Sequence, residues 1–273
     1  MPFRIVQSKQ NGRLKELRRA IADRGQGATG LVGIEGPNLL NEALRAGLRL
    51  NAVFIAKGSE HLLDPLALAP EIDVFVMPLE LLTSALATET PQPIAALVEP
   101  PDWTWTHLLG DHRKSFPLVV VLAGLQDPGN LGTILRSAEA FGANGILSLP
   151  GTVSPWNPKA VRASAGSVFR VPLLTVTADE CFTRLREANV KVFATTLRGA
   201  APADRVDLDG PSALLIGNEG NGVPEEIAAR AGGTITIPCP GSVESLNAAV
   251  ATAVLLYEAS RQRAAVATHG VRR

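Results

Sequence analysis

A glycine-rich loop around a single carboxylate is the first feature of this chain that could do chemistry. The loop, GNEGNG at 217–222, follows the short apolar run Ala213–Gly217 and surrounds Glu219 with three glycines. Glycine has no Cβ, so the backbone of this loop can approach a ligand closely. An apolar run that leads into a loop and then a helical pattern is typical of a strand in a parallel sheet.

A second loop carries small polar side chains towards the start of a helix. It reads PCPGSVESLN at 238–247 and follows the apolar run Thr234–Pro238. Its residues Ser242, Ser245 and Asn247 lie where the first amide groups of a helix lack internal partners, so we expect Ser245 and Asn247 to cap that helix. Because ligands of open parallel sheets bind beyond the carboxyl ends of the strands, we predict that both loops face one crevice.

The spacing of the reactive residues excludes several familiar kinds of site. GNEGNG is not a GxGxxG loop that opens the first βα unit of a dinucleotide-binding fold, and no acidic residue follows it at the ribose distance. No GxxxxGKS or GxxxxGKT phosphate loop occurs, and no histidine accompanies a candidate serine in one loop. The two cysteines, Cys181 and Cys239, and four scattered histidines have no metal-ligand spacing. We therefore expect neither a metal site nor a disulfide scaffold.

Both loops belong to an alternation of strands and helices that begins after Pro117. Six apolar runs are predicted to be strands: Leu118–Ala123, Ile146–Leu149, Val171–Val176, Lys191–Thr195, Ala213–Gly217 and Thr234–Pro238. Helical patterns separate them, including Pro158–Gly166 and Asp179–Asn189. The pattern predicts a mostly parallel α/β sheet that is covered by helices on both faces.

Two of the predicted helices carry further candidates. After GLQDPGN, an apolar stripe begins at Leu131, and Arg136 lies roughly 140° away from Leu131 around the helix, so Arg136 should point away from the core. Asn130, immediately before the stripe, is the expected N-cap. The last helix is predicted over Val243–Gln262 and is rich in alanine, which suits close approach of another backbone in a chain crossing or a dimer interface.

The first part of the chain is predicted to be a small α/β domain of its own. Four apolar runs, Leu31–Ile34, Ala52–Ala56, Ile72–Met77 and Ile94–Val98, alternate with helical patterns. A proline-rich and aromatic piece without periodicity then marks a boundary. We predict a domain at 1–99, a linker at 100–116 and a second domain at 117–273.

Charge and hydropathy limit the partners and the location. Lys plus Arg equals Asp plus Glu, 26 against 26, so the total charge does not indicate a partner. Residues 1–24, however, contain seven basic and two acidic side chains, which fits either a solvated helix face or an RNA-facing arm that uses Arg13, Lys15 and Arg18. No apolar run approaches the roughly 20 residues that span a bilayer, and the first residues lack a signal-peptide core. We expect a soluble, cytoplasmic protein without membrane partners.

Three segments of the chain resemble one family of enzymes. LAGLQDPGNLGTILRSAEAFGA, LLIGNEGNGVPEE and IPCPGSVESLNAAVATAVLLYEA are similar, in this order, to the three motifs of the SpoU/TrmH family of RNA 2′-O-methyltransferases, in the SPOUT superfamily. The similarity extends from Leu118 to about Arg261 and includes KAVRASAGSVFRVPL. The preceding part is similar, at the level of its pattern, to the small ribosomal-protein-like RNA-binding domain of many relatives.

The resemblance implies a fold, a cofactor and a reaction. It implies that the C-terminal part of the sheet forms a deep trefoil knot, against the usual rule that chains do not thread loops. It also implies that S-adenosylmethionine (AdoMet) binds in the knot, that the active unit is a homodimer, and that a ribose 2′-hydroxyl of RNA is methylated. Ribosomal RNA is the favoured substrate, with transfer RNA and a non-catalytic RNA-binding relative as the alternatives.

The family's functional positions transfer to this chain residue by residue. The catalytic candidates are Arg136, Asn130, Glu219, Ser245 and Asn247, and the cofactor-binding candidates are Thr195, Thr196, Leu197, Gly217, Asn218, Gly220, Ile237, Cys239 and Leu246. For Glu219, a structural role as an acceptor for loop amides is an equal alternative. Three bases that precede a predicted strand, Lys159, Arg162 and Arg170, are expected along the RNA path with the basic arm.

Overall fold

The structure is a computed structural model of the 273-residue chain. It describes residues 3–24, 29–88, 90–110, 116–197 and 199–270, with side chains up to residue 266. The chain forms two compact units, residues 1–102 with 154–170, and residues 103–153 with 171–273. The segment 154–170, from the second half of the sequence, thus belongs to the first unit. Within the described ranges, no helix has the length and apolar character of a membrane span.

The elements follow one another in the order expected for α/β units. The strands are β1 Phe3–Ile5, β2 Val32–Glu35, β3 Leu50–Ala56, β4 Asp73–Met77, β5 Ile94–Val98, β6 Leu118–Leu122, β7 Gly145–Ser148, β8 Leu173–Thr175, β9 Lys191–Thr195, β10 Ala201–Pro202, β11 Ser212–Ile216 and β12 Gly233–Thr236. The helices are α1 Gly12–Asp23, α2 Pro37–Arg45, α3 Leu79–Thr83, α4 Trp105–Leu109, α5 Pro128–Ala140, α6 Pro158–Ser164, α7 Ala178–Glu187, α8 Glu225–Ala228 and α9 Ala248–Gly270. Helix α4 lies in the stretch that was expected to lack periodicity.

The first unit contains, within the described ranges, a five-stranded sheet of order β1-β4-β3-β5-β2. Strands β1, β4 and β3 are parallel, and β5 is antiparallel to both β3 and β2. The four predicted strands are confirmed. Strand β1 was missed because it has three residues, all exposed, and so shows no burial pattern in the sequence. Helix α1 covers this sheet with four buried apolar side chains, Leu14, Leu17, Ala20 and Ile21.

The second unit is built on a sheet in which every described pairing is parallel. Its order is β10-β12-β9-β11-β6-β7-β8. The six predicted strands are confirmed, and the two-residue β10 adds an edge strand that was too short to predict. In the sheet register, Leu215 of β11 pairs with Ala194 of β9, and Ile235 of β12 pairs with Thr195. The carboxyl ends of β9, β11 and β12 therefore lie side by side, as the crevice prediction requires.

Helix α5 begins three residues earlier than the apolar stripe suggested. Its N-cap is Asp127, whose Oδ1 accepts from the backbone amide of Asn130 at 2.8 Å, and Pro128 fills the first helical position. The prediction that Asn130 is the N-cap is therefore wrong, because Asn130 already lies in the first turn. Arg136 is exposed while Leu131 and Leu135 are buried, so the prediction that Arg136 points away from the core is confirmed.

Helix α9 begins at Ala248 rather than near Val243. Asn247 caps it, because its Oδ1 accepts from the amides of Ala249 at 2.9 Å and Val250 at 3.3 Å. The capping prediction is thus confirmed for Asn247. For Ser245 it is wrong, because this residue lies exposed in the loop, three positions before the helix. Pro238, Pro240 and Gly241 favour an irregular loop at the start of this stretch, but they all precede Val243 and so do not determine where the helix begins after it.

The other end of α9 is fixed by a half-buried arginine. The Arg263 guanidinium donates to four backbone carbonyl oxygens, those of Phe116 at 2.5 Å, Gly210 at 2.6 Å, Leu208 at 3.0 Å and Pro117 at 3.2 Å. These carbonyls belong to the segments that lead into β6 and β11. Arg263 thus attaches the second half of α9 to the segments that precede two neighbouring strands of the sheet.

Candidate active site

Glu219 joins the glycine-rich loop to the first turn of α5. Its carboxylate accepts from the Asn130 side-chain amide at 3.0 Å, from the Asp127 backbone amide at 3.1 Å and from the Gln126 backbone amide at 3.3 Å. The amides that precede a helix are the groups that lack partners within it, so a carboxylate suits them both as an acceptor and as a charge. Glu219 therefore fixes the position of one predicted catalytic loop against the other.

Asn130 is hydrogen-bonded both to Glu219 and to Asn247, the N-cap of α9. While its Nδ2 donates to Glu219, its Oδ1 accepts from the Nδ2 of Asn247 at 3.0 Å. The Oδ1 of Asn247 caps α9, so both polar atoms of the Asn247 side chain have a partner. The result is a continuous chain, Glu219–Asn130–Asn247, which joins three segments that are far apart in the sequence. We call it the amide chain.

The amide chain keeps Glu219 ionised. Partial burial raises the pKa of the Glu219 carboxyl, but the hydrogen bonds from the Asn130 side chain and from backbone amides, including those of Asp127 and Gln126, more than offset this effect. The net result is a pKa below the ordinary value of a glutamate. Glu219 is thus an acceptor and a fixed negative charge near neutral pH, which supports the structural interpretation of this residue and does not suit a proton donor.

The glycine-rich loop is shaped from within. A Cβ on Gly217 would lie 2.0 Å from the carbonyl carbon of Gly222 and 2.1 Å from the backbone nitrogen of Val223, so only glycine fits. Asn218 exchanges two 2.9 Å backbone hydrogen bonds with Gly222 and closes the loop. The Asn218 side chain accepts from the amide of Gly220 at 2.8 Å.

The same asparagine attaches the loop to the strand beside it. Asn218 Nδ2 donates to the carbonyl oxygen of Gly124, just beyond the end of β6, at 2.9 Å. Asn218, a cofactor-binding candidate in the sequence, therefore uses its side chain and both of its backbone hydrogen-bonding groups within the protein, where they fix the shape of the loop.

Partly exposed apolar side chains lie beyond the ends of the neighbouring strands β9 and β12. Leu197, after β9, is 66% exposed, and Val243, in the loop after β12, is 60% exposed. Ile237 and Leu246 are half-buried in the same loop. A single exposed apolar side chain is common on a protein surface, but several of them grouped at one edge can mark a ligand or partner site. An edge that combines apolar side chains with strand-end backbone groups suits a flat heteroaromatic ring with polar edges.

Comparison with known proteins decides what this edge is. A family model described as the SpoU rRNA methylase family matches residues 117–257, more than half of the chain. The chain belongs to the SpoU rRNA methylase family. A second model, described as RNA 2′-O ribose methyltransferase substrate binding, matches residues 34–104. The resemblance of both parts of the sequence is therefore confirmed.

Relatives of this SpoU methylase match over nearly its full length. The 23S rRNA (guanosine(2553)-2′-O)-methyltransferase RlmP of Bacillus subtilis is 30% identical over 252 residues, which cover 92% of this chain and 97% of that protein. The AdoMet-bound rRNA methyltransferase of Sinorhizobium meliloti is 31% identical, with a TM-score of 0.81 and coverage of 95% of this chain and 98% of that one. The SpoU methyltransferase AviRb of Streptomyces viridochromogenes, in complex with AdoMet, is 27% identical, with a TM-score of 0.81 and coverage of 93% and 99%.

The chemistry of the edge fits the cofactor of these relatives. Gly217 permits close backbone approach, and Leu197, Ile237 and Leu246 supply partly exposed apolar surface at neighbouring strand ends. The protein is accordingly an AdoMet-dependent RNA 2′-O-methyltransferase, as the sequence predicts. Within the ranges that the structure covers, no group of three or more His, Cys, Asp or Glu side chains is arranged to hold a metal ion.

The structure places the remaining cofactor candidates at the same edge. Thr195 ends β9 and donates its hydroxyl to the carbonyl oxygen of Leu215 at 3.0 Å, so its side chain ties β9 to β11. Thr196 follows, with its amide bonded to the carbonyl oxygen of Ile235 at 3.1 Å. Cys239 is half-buried, and its thiol points to the carbonyl oxygen of Ile237 at 3.5 Å.

The predicted RNA-binding bases differ in how far they are engaged within the protein. Arg13 donates to Glu16 at 2.8 Å and to the side chain of Asn51 at 3.1 Å. Arg18 donates to the backbone and hydroxyl of Ser84, both at 3.3 Å. Side chains with such contacts are less available to a phosphate than exposed ones.

The bases of the segment 154–170 and the remaining base of α1 are arranged differently. Lys159 and Arg162 are exposed on α6, Lys15 is half-exposed on α1, and Arg170 pairs with Glu42 at 2.7 Å. Their contact with RNA stays a prediction.

Two positioning groups escaped the sequence analysis. Asp127 supplies both the α5 cap and an amide to Glu219, and Gln126 supplies a second amide. The signal for Asp127 was present, because an Asp followed by Pro at the start of an apolar stripe is a strong helix start. The sequence gives no indication of the role of Gln126, because its backbone amide, and not its side chain, donates to Glu219.

Proposed function

We propose that this protein methylates a ribose 2′-hydroxyl of ribosomal RNA, and that the amide chain is the framework of its transfer site. The observation that carries the proposal is that Asn130, Glu219 and Asn247, predicted as site residues, form one hydrogen-bonded chain between the three family segments. The ribosomal RNA substrate is supported by the RlmP relative, which aligns along both the substrate-binding part and the methylase part of this chain.

Arg136 is proposed to activate the attacking hydroxyl through charge rather than as a base. A guanidinium keeps its proton in proteins, so it cannot readily accept one from a ribose. Its planar fork can instead grip the adjacent phosphate and stabilise the negative charge that develops on the ribose oxygen. Arg136 is exposed on α5, and it forms no ion pair with a residue that the structure describes. It is thus available for this contact.

The strand-end residues are proposed to hold AdoMet. Thr195, Thr196, Leu197, Gly217, Asn218, Gly220, Ile237, Cys239 and Leu246 would contribute mainly backbone groups and apolar surface. When bound, AdoMet supplies a methyl group that an oxygen nucleophile can take by in-line displacement. Ser245, exposed in the loop that precedes α9, is proposed to face the RNA side of this site.

The chain is proposed to form a trefoil knot around this edge. After β9 the chain passes to the outer strand β10, returns to β11 on the other side of β9, and then inserts β12 between β9 and β10. The last strand therefore occupies a gap that the earlier β9–β10 connection spans. A knot of this kind departs from the usual folding rules, and the strand order supports it.

A homodimer is proposed to form through a groove between α5 and α9. The groove is lined by Thr133, Phe141, Ala249, Val250, Ala253, Val254 and Tyr257. Val250, Val254 and Tyr257 are 49%, 39% and 56% exposed, and Phe141 packs edge-on against Tyr257 at 5.8 Å. Apolar side chains in one exposed cluster, with alanines that permit close approach, suit a helix of a second copy.

The same proposal includes the domain limits and the location. The matched ranges 34–104 and 117–257 support a substrate-binding domain at 1–99, a linker at 100–116 and a methyltransferase domain at 117–273. The segment 154–170 lies within the range of the methylase model, but it is part of the first compact unit. We therefore propose that this segment serves RNA binding as well as methyl transfer. Action on ribosomal RNA also places the enzyme in the cytoplasm.

Methyl transfer from labelled AdoMet to RNA that lacks the modification tests the function. The RNA is hydrolysed with alkali, and the labelled products are sized. Label in alkali-resistant dinucleotides of ribosomal RNA is the expected result, because a 2′-O-methylated ribose cannot assist cleavage of its own phosphodiester. Label in transfer RNA would overturn the substrate. Absence of label from naked RNA and from assembled subunits, despite AdoMet binding, would favour a non-catalytic RNA-binding protein.

A further inference from the structure

The end of α1 and helix α6 are neighbours within the first unit. Ser154 Oγ donates to the backbone carbonyl oxygen of Arg24, the C-cap of α1, at 3.2 Å. A small cavity is lined by Ile21 of α1 together with Val161 and Arg162 of α6. Two stretches that lie more than a hundred positions apart in the sequence thus share one side of this unit.

This shared side carries basic groups. Arg24 and Arg162 are exposed, and neither forms an ion pair with a residue that the structure describes. Lys159 is exposed one turn before Arg162, on the same face of α6. Among the carboxylates close by, Glu35 lines the cavity but already accepts hydrogen bonds from within the unit, and Asp23 precedes Arg24 on α1. Arg24 and Arg162 are therefore the two guanidinium groups of this side that have no ion pair among the described residues.

The backbone of Arg24 is unusual for an arginine. It has φ 54° and ψ 44°, the left-handed conformation that most often belongs to glycine at the end of a helix. An L-residue with a Cβ is disfavoured in this conformation. A charged side chain at a position that glycine would fill more easily is consistent with a use for that charge.

Arg170 has a different role from Arg24 and Arg162. Its Nη1 lies 2.7 Å from Glu42 Oε2 on α2, and its side chain is 33% exposed. Gly166, with φ +92°, allows this contact, since a Cβ there would lie 2.7 Å from the Cβ of Glu42. The ion pair attaches the end of the segment 154–170 to α2. Arg170, which was expected to contact RNA, therefore uses its charge within the protein.

We propose that Arg24, Lys159 and Arg162 form one phosphate-binding surface for RNA, and that the Arg170–Glu42 ion pair holds α6 in place for it. The ligand follows from the proposed function, on which this inference rests. Bases that track a phosphate backbone fix the position of the RNA without reading its sequence. Arg170 is therefore a positioning residue rather than a contact.

The surface is tested with the variant R24Q/R162Q in the full-length protein. The probe is unmodified large-subunit ribosomal RNA transcribed in vitro, and its affinity is measured between about 50 and 200 mM salt. Two lost phosphate contacts should weaken binding and reduce the slope of log affinity against log salt by about 0.7–0.9 each. R24K/R162K should keep most of the affinity because it keeps the charge. The control R49Q removes an arginine that is 83% exposed elsewhere in the unit and should leave the slope unchanged.

The ion pair is tested with E42Q, R170Q and the double variant. If Arg170 only positions α6, each single variant should weaken RNA binding by about two- to fivefold, as expected for a partly exposed pair. The double variant should lose no more than either single one, and the salt slope should not change. If Arg170 contacts RNA, R170Q should lower the slope while E42Q frees the arginine and strengthens binding, which would overturn its positioning role.

Failure of this inference and failure of the proposed function give different results. If wild-type protein binds and methylates ribosomal RNA while R24Q/R162Q is folded and unchanged in affinity and slope, the surface is wrong and the function stands. If wild-type protein binds AdoMet but neither binds nor methylates the RNA, the function itself fails. Comparison of thermal unfolding with that of R24K/R162K shows whether a weak variant is merely unfolded.

Discussion

The side-chain amide of Asn247 lies 3.0 Å from the side-chain oxygen of Asn130, although the two residues are 117 positions apart. One asparagine thus caps α9 with its oxygen and holds the first turn of α5 with its nitrogen. A carboxylate at 247 could do the first of these and not the second. The two roles can therefore be separated in one substitution.

N247D should keep the stability of α9 and lose catalytic activity. Aspartate is as good an N-cap as asparagine, so the melting temperature should change little. It has no donor for Asn130, whose oxygen would then face a negative charge. We expect kcat to fall about 10-fold or more, as for a misplaced catalytic group. Methyl transfer assays and thermal unfolding measure the two effects.

The matched control for N247D is N11D. Asn11 caps α1 by accepting from the amides of Arg13 at 3.0 Å and Leu14 at 3.2 Å, and aspartate accepts equally well. N11D should be silent in both assays. If N247D has a clearly lower melting temperature than wild type, and its lost activity is explained by the fraction of unfolded protein, Asn247 acts through the helix alone.

E219Q should disconnect the amide chain without a change in size. Glutamine has one acceptor oxygen for three donors, and its own amide group would meet the amides of Asp127 or Asn130. Loss of hydrogen bonds to a charged, partly exposed acceptor should cost about 1 kcal/mol of stability, and activity should fall further because the two loops separate. E225Q, on an exposed glutamate of α8, is the control and should behave as wild type.

The contribution of Glu219 to stability should depend on pH. Because its pKa is lowered in the folded protein, its contribution is fully present above the ordinary pKa, about 4.3, and is lost as the pH falls through the folded value. The difference in melting temperature between wild type and E219Q should be constant from about pH 5 to 8 and narrow below about pH 4. A difference that grows at acid pH would contradict the assigned direction of the shift.

Much of the fold could be predicted because the relevant signals are local. The buried strands β6 and β11 are continuous apolar runs, and the stripe from Leu131 placed Arg136 on the outside of α5. The start of α9 could not be placed from the sequence, since the residues before Asn247 are compatible with a helical period. Strand β1 has no buried residue, so only its pairing with β4 reveals it.

The site could be predicted as a set of residues and not as a set of contacts. Sequence identifies Asn130, Glu219 and Asn247, but their hydrogen bonds depend on how α5, the glycine-rich loop and α9 meet in space. The Arg170–Glu42 ion pair is likewise a long-range contact, and charge counting alone assigned Arg170 to RNA. The hydrophobic pattern of a sequence indicates which face of a helix or strand is buried. Contacts between side chains that are far apart in the sequence can be read only from the three-dimensional structure.

G217A should weaken AdoMet binding. The added Cβ would lie about 2 Å from backbone atoms of Gly222 and Val223, which cannot rotate away as a side chain can. The loop must open, at a cost of about 1–3 kcal/mol by analogy with overpacked cores. Calorimetric titration with AdoMet measures the effect. G210A is the control, because a Cβ there meets nothing within 4 Å and no positive φ is required. Unchanged affinity in G217A would remove this loop from the cofactor site.

R136K should lose most of the turnover while AdoMet binding is retained. Lysine keeps the positive charge but lacks the planar fork that grips a phosphate and stabilises the ribose oxygen. We expect kcat to fall about 10- to 100-fold, in the range of a lost oxyanion contact. R261K is the control, since Arg261 pairs with Glu258 on the exposed part of α9 and has no proposed contact with substrate. Near-complete turnover in R136K would show that a point charge suffices.

V254D/Y257D should dissociate the proposed homodimer. Both side chains are exposed in the groove between α5 and α9, and a carboxylate buried there without a partner is costly. Light scattering coupled to gel filtration should give the mass of one chain for the variant and of two chains for wild type. Methyl transfer should fall with the dimer if Arg136 serves the cofactor of the other copy.

The control for the dimer is V266D, which places the same charge on a valine of α9 that is 53% exposed and outside the groove. It should remain dimeric and active. If V254D/Y257D is a folded monomer with full activity, each copy contains a complete site and Arg136 acts within its own chain. If wild type itself has the mass of one chain at micromolar concentration, the homodimer proposal is wrong. The exposed apolar side chains of Val254 and Tyr257 would then be a binding surface for a different partner.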